Sequence, residues 1–381
     1  MEIPKHARIA LGVAGLFVAL NALVGRSGPD FTPCLEGAPE DRLAGCTRLI
    51  DGGGLKGQDL AAVHVHRGLV YTERRAWDDA LAEYTRAVEA DPTLAVAWSN
   101  RGYTYAEKRE LDRALADLAK AEELDPNLGL VYQNRTLVYA LQGNRDAAIA
   151  QAMKAIALTP SDPKNHYNLG VLKGEQGDLA ASRAAYEKAL EVDPRHADSL
   201  VNLGVMAADR GDYEGAMARY KVALDANPGH HLAHHNVAFI HRMRKEWQPA
   251  LDAASRAIAI DPAMKESHFL RATARANLGD LDGAFADYTT ALALDENYVD
   301  ALISRAEVQM RQDRHQGAID DSSRAITLLP THAAIAYVHA LRGHAYAGLG
   351  DKTHARNVFE RALALDPNEQ IAKDGLAGLG A

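Results

Sequence analysis

The chain has 381 residues, of which 47% are hydrophobic and 24% are charged, and its formal net charge at pH 7 is −9. An acidic protein repels the phosphate backbone, so the charge argues against nucleic acid as a partner. The hydrophobic share is ordinary for a soluble helical protein, and length alone would predict two or three domains.

The N-terminal segment contains an uncharged apolar run. Residues 9–25 read IALGVAGLFVALNALVG, with Lys5 and Arg8 before them and Arg26 after them. A secretory signal core has about 7–15 apolar residues and a membrane-spanning helix about 17–25, so this run lies between the two. We expect residues 1–27 to be an uncleaved signal anchor in the inner membrane. A cleaved signal peptide and a buried globular helix are the alternatives. The basic flank places the N-terminus in the cytoplasm and the rest of the chain outside it.

From about residue 61 the chain is built from 34-residue units. Prolines close six successive units at this interval: Pro92, Pro126, Pro160, Pro194, Pro228 and Pro262. Numbering each unit from position 1, alanine occupies position 27 in all nine units, from Ala87 to Ala362. Each unit contains two short amphipathic helical patterns joined by a polar break. Neither helix could bury its apolar face alone, so the sequence predicts one elongated array and not separate domains.

The period also divides the chain. We expect repeats 1–8 over residues 61–332, three extra residues at 333–335, a ninth repeat at 336–369 and a capping tail at 370–381. Residues 28–60 form a linker and a half repeat, because residues 41–50 align with residues 79–88 in the second helix of the first full repeat.

The repeat pattern resembles the tetratricopeptide (TPR) repeat. In the second unit Trp98, Gly102, Tyr105, Ala114, Ala121 and Pro126 fit the family pattern, and Leu118 replaces its usual aromatic residue. The resemblance covers about residues 61–369. It implies an all-α, right-handed α-α superhelix, a solenoid of nine helix-turn-helix repeats. It names no function, because such arrays serve many partners.

The segment that contains the two cysteines also resembles exported TPR proteins of alphaproteobacteria, which implies a location in the bacterial periplasm. Exported chains meet oxidising conditions, so we expect a disulfide between Cys34 and Cys46. It would pin the incoming chain over the half repeat as a cap, worth about 3 kcal/mol. Two free thiols are the alternative.

Asparagine fills position 6 of the first helix in five consecutive repeats: Asn100, Asn134, Asn168, Asn202 and Asn236. A carboxamide offers both a donor and an acceptor, so such a row can pair with the backbone of an extended peptide. The row resembles asparagine-ladder TPR arrays, in which this position lines the concave groove. The alternative is a repeat consensus kept for local hydrogen bonds. Selectivity would come from neighbouring positions of the groove, represented by Ser99, Tyr103, Lys164 and Tyr167.

Arginine at position 7 coincides with an acid at position 23 in four repeats. The pairs are Arg67 with Glu83, Arg101 with Asp117, Arg271 with Asp287 and Arg305 with Asp321. No repeat has the acid without the arginine. We interpret these as structural ion pairs that join the two helices of one repeat, with anion recognition as the alternative.

Residues 230–235 contain two pairs of histidines spaced i, i+4: His230 with His234, and His231 with His235. Such pairs can chelate zinc or copper. Histidine also fills position 4 in several repeats, however, so we interpret His234 as a packing residue and predict no metal site and no cofactor. No catalytic motif is present, and no segment outside the repeats is long enough for a catalytic domain.

The sequence therefore predicts a non-catalytic scaffold that binds an extended peptide or a partner helix in a concave groove, in cell-envelope assembly or export. A self-associating assembly factor and a histidine-rich metal-binding module are the alternatives. The expected partners are a protein or peptide and, through residues 1–27, the inner membrane.

Overall fold

The structure is a computed structural model that describes residues 30–328 and 334–380. The predicted signal anchor lies outside the described residues. Among the helices that are described, none combines the length and the apolar character needed to cross a membrane.

Every regular element in the described residues is an α-helix, and the all-α solenoid class is confirmed. The described residues form two compact units that meet between Leu203 and Gly204. The first unit contains α1 (Thr32–Leu35), α2 (Pro39–Asp51), α3 (Gly57–Glu73), α4 (Trp77–Ala90), α5 (Ala95–Glu107), α6 (Leu111–Leu124), α7 (Gly129–Leu141), α8 (Arg145–Leu158), α9 (Pro163–Glu175) and α10 (Leu179–Val192). The boundary falls inside α11 (Ala197–Ala208). The second unit continues with α12 (Tyr213–Ala226), α13 (His231–Met243), α14 (Trp247–Ile260), α15 (Lys265–Leu278), α16 (Leu281–Leu294), α17 (Val299–Arg311), α18 (His315–Leu328), α19 (Ile335–Gly348), α20 (Lys352–Leu365) and α21 (Gln370–Leu379).

Within each unit the helices alternate between two roles. The first helix of a repeat packs against its own second helix, as α5 does with α6 and α15 does with α16. Successive first helices also touch, for example α5 with α7 in one unit and α15 with α17 in the other. Successive second helices make no comparable contact in the described residues. The first helices of each unit therefore lie on one side of the repeats, and we call this side the first-helix face.

The close approach of the two helices in a repeat depends on glycine at position 8. A Cβ atom on Gly170 would lie 2.5 Å from Cε1 of Tyr186, and one on Gly343 would lie 2.5 Å from Cε1 of Phe359. In these repeats the aromatic ring at position 24 thus occupies the space that a Cβ atom at position 8 would fill. Where position 8 carries a larger side chain, position 24 is in most cases small, as in Thr136 with Ala152.

The turn between the two helices has two versions. In five repeats a glycine with positive φ stands at position 15, and an aspartate or asparagine at position 16 caps the second helix. Asp178, for example, accepts a hydrogen bond from the Ala181 amide at 3.0 Å. In the other repeats Arg75, Arg109, Lys245 and Asp313 adopt the positive φ instead. In the first three of these repeats the second helix has no side-chain cap.

Both ends of the described chain carry helices outside the nine repeats. At the N-terminal end, Cys34 in α1 and Cys46 in α2 form a disulfide, and both are buried with Val63 of α3. At the other end α21 packs against α19 and α20. Helix α19 begins at Ile335, so the last of the three extra residues lies inside the helix.

Candidate functional site

The arginines at position 7 form a framework that fixes the first helices on the second. In each of the four predicted pairs, Nε and Nη2 of the arginine donate to the two carboxylate oxygens at 2.6–2.9 Å. The acids are buried and the arginine side chains are 14–19% exposed. The parallel hydrogen bonds hold the two helices of a repeat in one register.

Three of these arginines also reach the preceding helix. Nη1 of Arg101 lies 3.5 Å from Oγ1 of Thr85, and Nη1 of Arg305 donates to Oγ1 of Thr289 at 3.1 Å. In the first repeat, Nη1 of Arg67 points at Oγ1 of Thr47 at 3.3 Å. One guanidinium therefore links three helices, and the sequence interpretation had missed this third contact.

Nearby charges and burial shift the pKa values of these paired groups in opposite directions. Burial by itself raises the pKa of Glu83, but hydrogen bonds from His64 and Arg67 outweigh it and hold this pKa at about 2. The hydrogen bond to Asp117 raises the pKa of Arg101. Both groups are therefore ionised at neutral pH, which is the state that the bidentate geometry needs.

The asparagines at position 6 lie between successive first helices. Nδ2 of Asn134 in α7 donates to the backbone oxygen of Ser99 at 3.1 Å and to its Oγ at 3.0 Å in α5. This amide is used inside the fold, and Ser99 has no exposed surface. Asn100 is also buried. Ser99 and Asn134 therefore bond to each other between α5 and α7, and their contact with a peptide stays a prediction.

The next two asparagines differ from Asn134. In α9, Oδ1 of Asn168 is buried and has no hydrogen-bond partner in the described residues, and the same holds for Nδ2 of Asn202 in α11. Asn168 is 9% exposed, and Asn202 has a larger exposed fraction. One unused acceptor and one unused donor thus stand on adjacent first helices of the first unit.

Aromatic and polar side chains surround this pair. Tyr167 is buried, and its ring lies 5.8 Å from that of Tyr186. Burial raises the pKa of Tyr186 to about 12, and the Ser182 hydroxyl opposes the change. Lys164, at the start of α9, is partly exposed. Tyr103 is buried in α5, in edge-to-face contact with Trp77, so it belongs to the core between the first two repeats more than to an open surface.

Asn236, the last of the row, lies in α13 of the second unit and is partly exposed. The structure therefore divides the predicted row into a packed part at Asn100 and Asn134, a part with unused amide atoms at Asn168 and Asn202, and a single residue in the other unit.

The four histidines of residues 230–235 make separate contacts. Nδ1 of His230 accepts from the Ala233 amide at 3.2 Å, and Nδ1 of His235 pairs with Oγ of Ser267 at 3.0 Å. His231 has Nε2 4.0 Å from a carboxylate oxygen of Asp261. In the described residues no three metal-ligating side chains come together.

His234 reveals a role for position 4 that the sequence did not show. Its Nε2 donates to the backbone oxygen of Pro228 at 2.9 Å, and His268 makes the same contact with Pro262. Other donors at this position do likewise. Nε1 of Trp98 bonds to Pro92, and the Tyr132 hydroxyl bonds to Pro126, both at 2.9 Å. The side chain thus donates to the proline carbonyl at position 32 of the preceding repeat, which explains how tryptophan, tyrosine and histidine can share one position.

Family models match four segments of the chain. One tetratricopeptide repeat model matches residues 167–231 and 269–333, and two others with the same description match residues 336–369 and 83–116. Together they cover just over half of the 381 residues. The chain therefore belongs to the tetratricopeptide repeat family.

Individual relatives are distant. The DnaJ homolog subfamily C member 7 homolog of Dictyostelium discoideum is 32% identical over 122 residues, which covers 27% of this chain and 22% of that protein. The chain thus spans less than a quarter of the length of this relative.

A solved structure shares the fold. A chain of the APC/C hetero-tetramer Cut9–Hcn1 is similar with a TM-score of 0.50 and 16% identity, over 90% of this chain and 83% of that one. A tetratricopeptide repeat protein from Parabacteroides merdae has a TM-score of 0.42 and 18% identity, over 66% and 98% of the two chains. Proteins of this family are in general scaffolds for interactions with other proteins.

Proposed function

We propose that the protein is a non-catalytic scaffold that binds an extended peptide segment of a partner protein on the first-helix face of its first unit. The observation that carries the proposal is the unused amide pair, Oδ1 of Asn168 and Nδ2 of Asn202. A peptide group has one N–H donor and one C=O acceptor, so its backbone supplies the two complementary atoms.

The energetics favour this role for Asn168 and Asn202 over Asn134. A buried polar atom without a partner costs about 1–3 kcal/mol, and turning toward a bound peptide would recover that cost. The Asn134 amide already bonds to Ser99. A peptide would have to break those bonds first, so it gains little there.

The test compares two variants of the full chain. A binding peptide is first selected from a random peptide library, and its Kd is measured by fluorescence anisotropy. Asn168→Ala combined with Asn202→Ala is expected to weaken binding by roughly tenfold or more, because each lost hydrogen bond is worth about 1 kcal/mol. A peptide N-methylated at the contacting amide is expected to lose affinity for the unaltered protein.

Asn134→Ala is the matched control. It removes the same type of side chain from the same position, so its thermal midpoint is expected to fall while the Kd changes by less than about threefold. A folded double variant that binds as well as the unaltered protein would show that the amides do not contact the peptide.

We further propose that the repeats lie in the bacterial periplasm, held to the inner membrane by residues 1–27. The apolar run with its basic flank and the disulfide between Cys34 and Cys46 support this location. An alkaline phosphatase fused after residue 60 is expected to be active and to stay with the membrane. An inactive fusion would reject the periplasmic location, and a fully soluble one would reject the anchor.

A further inference from the structure

The ninth repeat keeps the arginine of position 7 but has lost the acid that accompanies it elsewhere. Arg342 in α19 corresponds to Arg101 and Arg305, whereas position 23 is Val358 in α20. The third repeat also lacks an acid at position 23, but there Arg135 bonds to Glu122 at 2.5 Å. Among the described residues, Arg342 makes no ion pair, so it is the exception within the framework.

The remaining contacts of Arg342 show which part of the framework is missing. Nη1 donates to Oγ of Ser323 in α18 at 3.2 Å, the same contact that Arg305 makes with Thr289. Nη2 lies 3.3 Å from Nδ1 of His339. Nε is buried and has no acceptor in the described residues. The guanidinium thus keeps its link to the preceding helix and lacks the carboxylate.

The surroundings add positive charge. Arg361, an exposed residue of α20, makes no ion pair in the described part of the chain. Burial, together with the charges of Arg342 and Arg361, lowers the pKa of His339 to about 4, and burial lowers that of Arg342. Glu360 is exposed and forms no ion pair with either arginine in the described residues. Arg342 and the uncharged ring of His339, with the charge of Arg361 close enough to act on that ring, therefore form a cluster beside α18 to which the described residues supply no counter-ion.

We propose that this cluster binds a carboxylate of a partner protein, with Arg342 as the anchor and Ser323 at its side. A carboxylate is the ligand that the same guanidinium fork holds in four other repeats, bidentately and at 2.6–2.9 Å. Arg342 is partly exposed although its Nε is buried, so an acid from outside would approach the guanidinium from its Nη side. The site lies at the repeat 8–repeat 9 junction and is independent of the asparagine pair in the other unit.

The test follows the arginine Nε–H signals of the full chain by ¹H–¹⁵N NMR during titration with sodium acetate at constant ionic strength. The Arg342 signal, assigned by its loss in Arg342→Gln, is expected to shift and saturate. The Arg305 signal is the internal control and is expected to stay in place, because Asp321 already occupies that fork. Sodium chloride is expected to give no shift at Arg342.

Val358→Asp restores the acid inside the repeat. In this variant, before acetate is added, the Arg342 signal is expected to lie near that of Arg305. Adding acetate is then expected to leave the Arg342 signal in place. If the variant does not fold, thermal midpoints replace this readout: acetate raises the midpoint of the unaltered chain and has no such effect on Arg342→Gln.

N-acetylglycine and the α-amide of N-acetylglutamate distinguish a terminal carboxylate from a side-chain carboxylate, and either response supports the site. No shift with any carboxylate, an equal shift with chloride, or a response to phosphate alone would overturn the proposal.

Discussion

At the scale of single residues, breaking one of the arginine–carboxylate pairs is expected to lower the free energy of unfolding by a measurable amount. Asp117→Asn leaves the guanidinium of Arg101 largely buried without its counter-charge. Breaking a buried pair in this way costs about 3 kcal/mol of the free energy of unfolding, measured by urea denaturation. Asp112→Asn in the same helix is the control, because Asp112 is exposed, and its effect should stay within about 0.5 kcal/mol. A loss at Asp117 as small as that of the control would mean that the pair behaves like a surface contact.

Glu83 makes the stability of the folded protein depend on pH, and the direction of this dependence can be stated. Its folded pKa of about 2 lies below the value of about 4.3 for an unfolded glutamate, so its contribution is present above pH ~4.3 and is lost as the pH falls toward 2. The difference in thermal midpoint between the unaltered protein and Glu83→Gln is therefore expected to be large at pH 6 and to shrink steadily below pH 4. A difference that does not change with pH would contradict the assignment of charge to this pair.

The residue contacts divide into those that a repeat period can predict and those that it cannot. Arg101 and Asp117 are 16 residues apart on the two helices of one hairpin, and the coincidence recurs in four repeats, so the sequence was sufficient to pair them. The bond from Asn134 to Ser99 joins two different repeats, and its existence depends on how closely α5 approaches α7. The sequence could place asparagine at position 6 but could not show which amides the fold uses internally.

At the scale of the helices, the turn at position 15 offers a stabilising substitution. Arg109 has φ of +65°, a conformation that costs a residue with a Cβ about 1 kcal/mol relative to glycine. Arg109→Gly is therefore expected to raise the free energy of unfolding by about that amount. Gly177→Ala is the reciprocal control: φ is +87° and a Cβ would meet nothing within 4 Å, so any loss there comes from the backbone alone. A gain without the reciprocal loss would point to the side chain of Arg109 instead of its backbone.

Helix positions were the most predictable part of the structure, since apolar spacing and closing prolines mark both ends of each hairpin. The two versions of the turn were less evident. Gly177 and Asp178 act together, one by its positive φ and the other by capping α10, and the link between them is a matter of backbone conformation. The start of α19 at Ile335 is likewise not evident from the sequence, because an insertion interrupts the period that sets the register.

At the scale of the whole molecule, a repeat array has contacts mainly between neighbours, so its stability is nearly a sum of local terms. The sequence could predict this organisation because the period alone implies it. It could not identify a partner, since binding depends on which atoms the fold leaves unused. Asn168, Asn202 and Arg342 became candidates only when the hydrogen bonds of each repeat were compared with those of its neighbours.

Because the stability of a repeat array is local, removing the disulfide between Cys34 and Cys46 tests which helices the N-terminal cap stabilises. Cys34→Ser combined with Cys46→Ser releases α1 and removes a crosslink worth about 3 kcal/mol. Amide hydrogen exchange is expected to speed up in α2 and α3, which share the buried cluster around Val63, and to stay unchanged from α13 to α20. Exchange that accelerates equally in both units would show that the chain unfolds as a single cooperative body. Exchange that is unchanged even in α2 would show that the cap adds no stability.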